Sequence, residues 1–143
     1  MDLELVITRL TPLVTAKTLT LLGGSADLAG AQLDAGNGYP AAYVIPLAER
    51  GGQNNSATMF VRQKIDMRFG VLLAVKNRRD AVSRRSLNDL KSIKDAVRAS
   101  LIGWLPTGCD DLVTFGSGKL VRIQDGILWW QEEYLTACYL RSQ

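Results

Sequence analysis

The sequence predicts an α+β fold, a mainly antiparallel sheet of long strands packed against two or three helices. Three observations predict it. Between Met59 and Lys76 every second residue (Met59, Val61, Gln63, Ile65, Met67, Phe69, Val71, Leu73, Val75) is apolar except Gln63, while Arg62, Lys64, Asp66, Arg68 and Lys76 fall in between. That period of two belongs to a strand with two unlike faces. Apolar residues recur at helical spacing in two other places, near the start of the chain and after Ser86. Finally, Asp125-Gly126 separates two apolar runs, a strong local hairpin signal.

Taken in order, Asp2 is placed to cap a helix whose stripe is Leu3, Val6, Ile7, Leu10 and Leu13, ending near Pro12 or shortly after. Leu19 to Leu22 reads as a short strand. Gly23-Gly24 leads to Ser25, the cap of a brief helix through Ala26, Leu28, Ala29 and Leu33. The lysine and the fuller glycine spacing of a nucleotide-binding loop are missing there. Gly36-Asn37-Gly38 is a turn, and Ala41 to Leu47 a buried strand in which Pro46 marks an edge position or a bulge. Ala48 to Ser56, polar and glycine-rich, reads as a mobile hairpin loop before the long strand. At ~3.3 Å per residue, Met59 to Lys76 would reach about 55 Å, against roughly 30 Å for a domain of this size. It must bend, Gly70 being the natural place, or project.

Past Gly70 the outer face turns apolar at Leu72 and Ala74, so that half should be covered on both sides. Asn77 to Arg85 is a basic connection, expected to be an exposed, poorly ordered loop. Ser86 to Asp89 has capping-box spacing and opens a helix with Leu87, Leu90, Ile93, Val97 and Leu101 inward and Lys91, Lys94, Asp95 and Arg98 outward. Gly103 and Pro106 stop it, and Trp104 and Leu105 fold back on its end. Leu112 to Phe115, a Gly116-Ser117-Gly118 turn, Leu120 to Ile123 and a final strand from Ile127 complete the pattern. A bulge or register change is expected at Gln131-Glu132-Glu133.

With 143 residues, 47% of them hydrophobic and 22% charged, the chain suits one domain, residues 1–143, with a core of its own. A net charge of +3 implies nucleic acid only if the charge is clustered. The absence of histidine removes the commonest general base and metal ligand. The carboxylate pairs Asp110-Asp111 and Glu132-Glu133 are the remaining candidates for acid–base or metal chemistry. Neighbours on a strand face opposite ways, however, and acidic residues beside Gly108 are ordinary turn formers. The expectation is therefore no catalytic residues, no metal and no cofactor. Cys109 and Cys138 are expected as reduced thiols of a cytosolic protein. The acidic opening MDLELVITRL is unlike a signal peptide, and no apolar run reaches the roughly 20 residues of a membrane span. Trp129-Trp130 should place one ring on each face of its strand.

In order and spacing, several stretches resemble the tail terminator (minor tail, or tail completion) proteins of long-tailed bacteriophages. They are Arg9-Leu10, Gly23-Gly24-Ser25-Ala26-Asp27-Leu28, Pro40 to Leu47, Arg68-Phe69-Gly70-Val71 with Asn77, Ile102-Gly103-Trp104, and Gly118-Lys119-Leu120 through Trp129-Trp130. The resemblance covers nearly the whole chain. It implies an α+β fold and a hexameric ring, favoured on the tail end over a monomer at low concentration. Such a ring caps the head-proximal end of the tail tube, stops tube polymerisation and offers a surface for joining the head. Implied partners are other copies of the chain, the tail tube protein and the head-tail connector protein, with DNA only as cargo through the ring. The implied location is the virion tail, assembled in the host cytoplasm. No catalytic residues are carried over. The alternative from the residues alone is a small nucleic-acid-binding module using Arg78, Arg79, Arg84 and Arg85 with Arg62, Lys64 and Arg68.

The subunit or tail interface expected from the sequence comprises Met59, Val61, Arg62, Lys64 and Ile65 on the long strand and Arg78, Arg79, Arg84 and Arg85 on the basic connection. An overlong strand leaves backbone groups and apolar side chains uncovered, which an adjoining copy could take up.

Overall fold

The computed structural model describes residues 1–31, 38–57, 59–77 and 84–142. Helix α1 (Glu4–Thr15) begins where Asp2 accepts a hydrogen bond from the Glu4 N–H at 2.9 Å, and it runs through Pro12. It ends in a paired-carbonyl cap. The Lys17 N–H donates to the Val14 carbonyl and the Thr18 N–H to the Leu13 carbonyl, with Lys17 at a φ of 64° where glycine is usual.

Strand β1 (Leu21–Gly23) and helix α2 (Ser25–Ala31) follow. Asp27 reaches back to accept from the Gly24 N–H at 2.9 Å. Leu33 and the Asn37 turn lie outside the described residues.

The sheet holds five strands in the order β1-β2-β3-β5-β4, where β2 is Ala41–Asn54, β3 Arg62–Lys76, β4 Thr114–Gln124 and β5 Ile127–Arg141. Among the described residues only β1 runs parallel to its neighbour. Helix α3 (Arg84–Leu101) connects β3 to the segment leading into β4.

The period-two reading of the long strand holds. Phe69, Val71, Leu73 and Val75 lie in one cluster with Val6, Leu10, Ile93 and Val97, so α1 and α3 cover that face. Leu72 and Ala74 join Ala41, Tyr43, Ile127 and Trp129 on the other face, with Leu28 of α2 packed against them. Trp129 and Trp130 divide between the two clusters as neighbours on a strand must.

Several expectations are corrected. The long strand starts three residues late, and it is the central strand, paired with β2 on one side and β5 on the other. Its backbone is thus not the uncovered edge that its length suggested. The β3–β5 ladder runs unbroken from Arg62↔Arg141 to Lys76↔Ile127, through Gly70 and past Glu132 and Glu133. The irregularities sit in the neighbours: in β2 between Pro46 and Ala48 and between Gly51 and Asn54, and in β4 between Phe115 and Ser117 and between Leu120 and Arg122.

Ala48 to Asn54 is strand, not loop, because its backbone finds partners along β3 despite a polar, glycine-rich composition. Gly116-Ser117-Gly118 is likewise no turn. Gly118 is needed instead for close approach, since a Cβ there would lie 2.6 Å from Glu132 Oε2 and 3.0 Å from Trp130 Cζ2.

Helix α3 starts at Arg84, so Ser86 is inside it. Its buried hydroxyl donates to Asn77 Oδ1 at 3.2 Å instead of capping. Leu87 and Leu105 are exposed, against expectation. The Asp125-Gly126 turn is as expected, with both φ angles positive.

Candidate assembly surfaces

The first surface is a three-stranded arm. The far half of β2, the start of β3 and the end of β5 extend beyond the region that the helices cover. Burial along β3 accordingly changes from partial between Arg62 and Asp66 to nearly complete from Phe69 to Val75. The hairpin tip is shaped by Asn54, whose Oδ1 accepts from the N–H groups of Ser56 (3.1 Å) and Arg62 (2.9 Å). Val61 and Ser142 exchange two hydrogen bonds at 2.7 and 2.9 Å, tying the tip to the end of the chain.

Of the residues expected at an interface, Met59 is fully exposed at this tip beside the exposed Phe60, and Val61 and Ile65 are half-buried. Arg62 stacks over the Tyr139 ring at 5.2 Å. Lys64 pairs with Asp111 at 3.0 Å, and this hydrogen bond raises the lysine's pKa. Arg68 pairs with Glu133 at 2.9 Å. Together with a hydrogen bond from Ser117 it holds the Glu133 carboxyl below its ordinary range.

Arg84 and Arg85 are exposed in the first turn of α3, a helix rather than the loop expected, and Arg78 and Arg79 lie outside the described residues. The structure does not bring the two halves of the predicted interface together. Arg62 and Lys76 mark opposite ends of β3, roughly 45 Å apart at ~3.3 Å per residue, and Arg84 follows the Lys76 end. Lys64 and Arg68 are moreover engaged by carboxylates, so these cations form no single basic stripe with Arg84 and Arg85.

Two surfaces were missed in the sequence. Strand β4 is the sheet's outer margin, and all eleven of its residues are exposed, including Phe115, Leu120, Val121 and Ile123. On the opposite margin, β1 pairs with β2 only as far as Tyr43. Where the start of the chain meets β2 and the central strand, a groove of about 600 Å³ is lined by Met1, Leu3, Pro46, Leu47 and Glu49 with Met67, Arg68 and Phe69 of β3.

Glu132 is fully buried, held by Arg98 (2.6 and 3.1 Å), Trp130 Nε1 (2.9 Å) and the Tyr134 hydroxyl (3.5 Å). Burial, then the Glu132 charge, pushes the Tyr134 pKa up. Lys94 lies over the Trp130 ring at 4.4 Å and Arg98 over Phe115 at 4.5 Å. Both cations therefore face the sheet, not solvent as their place opposite the leucine stripe suggested. The signal was present as Trp130-x-Glu132-x-Tyr134, a carboxylate on the core face of a strand.

This cluster is a fully hydrogen-bonded brace between α3 and β5, and Glu132 and Glu133 point to opposite faces as expected. Among the described residues no group of three or more cysteine, aspartate or glutamate side chains converges as a metal site would require, and no helix is long and apolar enough to cross a membrane.

No curated protein sequence matches the chain. Among solved structures, a chain from the virion of a native gene transfer agent particle shares the fold, with a TM-score of 0.59 at 12% identity, over 94% of this chain and 92% of that one. The family model for the phage tail terminator protein matches residues 1–143, in agreement with the order of the motifs and the α+β sheet, and the chain belongs to that family of tail structural proteins.

Proposed function

We propose that the protein closes the head-proximal end of a phage tail tube as a hexameric ring, stops further addition of tube protein and presents the surface to which the head connector docks. It does so by binding alone, without catalysis or cofactor, after assembly in the host cytoplasm, with DNA passing through the ring as cargo. The observation that carries this reading is the pairing of two unlike free margins on one sheet: β4, exposed along its whole length, and the arm with the open side of β2. A closed ring needs two different surfaces on every subunit, because its contacts run head to tail. A sheet with one unlike margin on either side meets that requirement, and the apolar side chains of β4 give it something to bury.

Met59, Val61, Arg62, Lys64 and Ile65 then serve a contact with the next subunit or with the last tube ring. Arg84 and Arg85, toward the other end of β3, serve the lumen or a neighbouring protein, together with Arg78 and Arg79. Negative-stain microscopy of the protein, alone and with purified tail tubes, tests the reading. Six-fold rings seated at one end of each tube are expected, and tubes that keep growing in its presence would refute it.

A further inference from the structure

The two cysteines, far apart in sequence, meet. Cys109 Sγ and Cys138 Sγ are 2.8 Å apart, both half-buried, with Met67 Sδ 3.6 Å from Cys138. The backbone around them is held independently of the sulfurs. The N–H groups of Asp110 and Asp111 both donate to the Ala137 carbonyl (2.9 and 3.2 Å). The Tyr139 N–H donates to Asp110 Oδ2 (2.8 Å), and the Thr136 hydroxyl donates to the Asp111 carbonyl (2.8 Å). These bonds clamp residues 109–111 to β5 just ahead of the point where β4 begins to pair at Thr114↔Leu135. A disulfide requires the sulfurs to close to about 2.05 Å, a further approach of about 0.8 Å that side-chain rotation supplies.

We propose that Cys109 and Cys138 form a disulfide site within each subunit, reduced in the cell that makes the protein and oxidised by peroxide or by a small-molecule disulfide once the particle is outside it. With hydrogen peroxide, the first sulfur to lose its proton attacks one oxygen. The O–O bond breaks, and the departing hydroxide takes up a proton to leave as water. The second sulfur then displaces the oxygen of the resulting sulfenic acid as another water. In sum, two thiols and one peroxide give one disulfide and two waters, the two electrons passing from sulfur to oxygen. Burial, then the hydrogen bond to Cys138, pushes the Cys109 thiol up to about 11, which makes that sulfur a poor attacking group at neutral pH and a better one as pH rises.

The bond would close a loop that contains all of β4, fastening the exposed margin of the sheet to β5. The proposed timing rests on the tail-assembly reading; the chemistry does not. It is tested on the full chain, purified under reductant, desalted and treated with one equivalent of hydrogen peroxide or diamide. The expected result is loss of both titratable thiols, a mass lower by about 2 Da, a Cys109–Cys138 peptide pair, and a melting temperature raised on the order of 10 °C. Dithiothreitol should reverse all four. Cys109→Ser and Cys138→Ser, each folded by circular dichroism, should keep the original melting temperature under the same treatment. Thiols that survive the oxidant, or disulfides only between chains, overturn the proposal. Because these readouts concern one subunit, they stand or fall separately from the ring seen by microscopy.

Discussion

Arg98 of α3 grips Glu132 of β5 with two nitrogens, Nε to Oε1 at 2.6 Å and Nη2 to Oε2 at 3.1 Å, and the carboxylate has no contact with solvent. Removing one partner of such a pair leaves the other charge uncompensated, which is costlier than removing both. Glu132→Leu should therefore destabilise the fold by about 3 kcal/mol, and Arg98→Met combined with Glu132→Leu should regain most of that loss. Urea unfolding of the three proteins checks this, and equal destabilisation of single and double variants would contradict it.

The Arg68–Glu133 pair on the opposite face is more exposed and should matter less. The folded-state pKa of Glu133 is depressed below its ordinary 4.5, so the stabilisation is present above that value and disappears as pH falls through the lower folded-state pKa. Wild type and Arg68→Gln should differ by under about 1 kcal/mol at neutral pH and converge in acid. Denaturant titrations across pH measure it; a gap that widens on acidification would be the wrong sign.

Aspartate at Val61 and Ile65 places charge on the half-buried side chains of the arm, away from the α1–α3 core. The double variant V61D/I65D should fold, by circular dichroism, and fail to form rings by light scattering and microscopy. Rings of normal size would remove the arm from the interface.

Arg84 and Arg85 occupy the first turn of α3, where the helix dipole disfavours cations and no acidic residue is present. Serine at Arg78, Arg79, Arg84 and Arg85 together should leave stability unchanged or raise it by up to about 1 kcal/mol, while tail completion falls. A loss of both would assign these arginines to folding.

How much of this was legible in the chain depended on whether the deciding contact was local. Alternation from Phe69 to Val75, the leucine spacing of α1 and the two positive φ angles at Asp125-Gly126 are local facts, and they were read correctly. Pairing partners are not local. Gly51-Gly52 and Gly116-Ser117-Gly118 look like turns until a neighbouring strand takes up Gly51 opposite Ile65 and Gly118 opposite Glu132, leaving Gly52 and Gly116 in irregularities of strands that continue past them.

The position of the long strand was misjudged for the same reason, since length says nothing about what lies on either side. The meeting of Arg98 with Glu132, and of Cys109 with Cys138, required knowing that α3 lies over β5 and that residues 109–111 return to its far end. Nor does sequence show that Met59 to Ile65 and Arg84-Arg85 stand toward opposite ends of a strand carried straight through the sheet.

The unbroken ladder between β3 and β5 also makes the subunit a stiff lever. Both strands run from the exposed tip through to the tryptophans at the other end, with no irregularity between them at which the arm could hinge. A force along the strands loads these hydrogen bonds in shear, all of them together, instead of opening them one by one. A push at Met59 is thus transmitted across roughly 45 Å to the Trp129 and Trp130 end of the molecule.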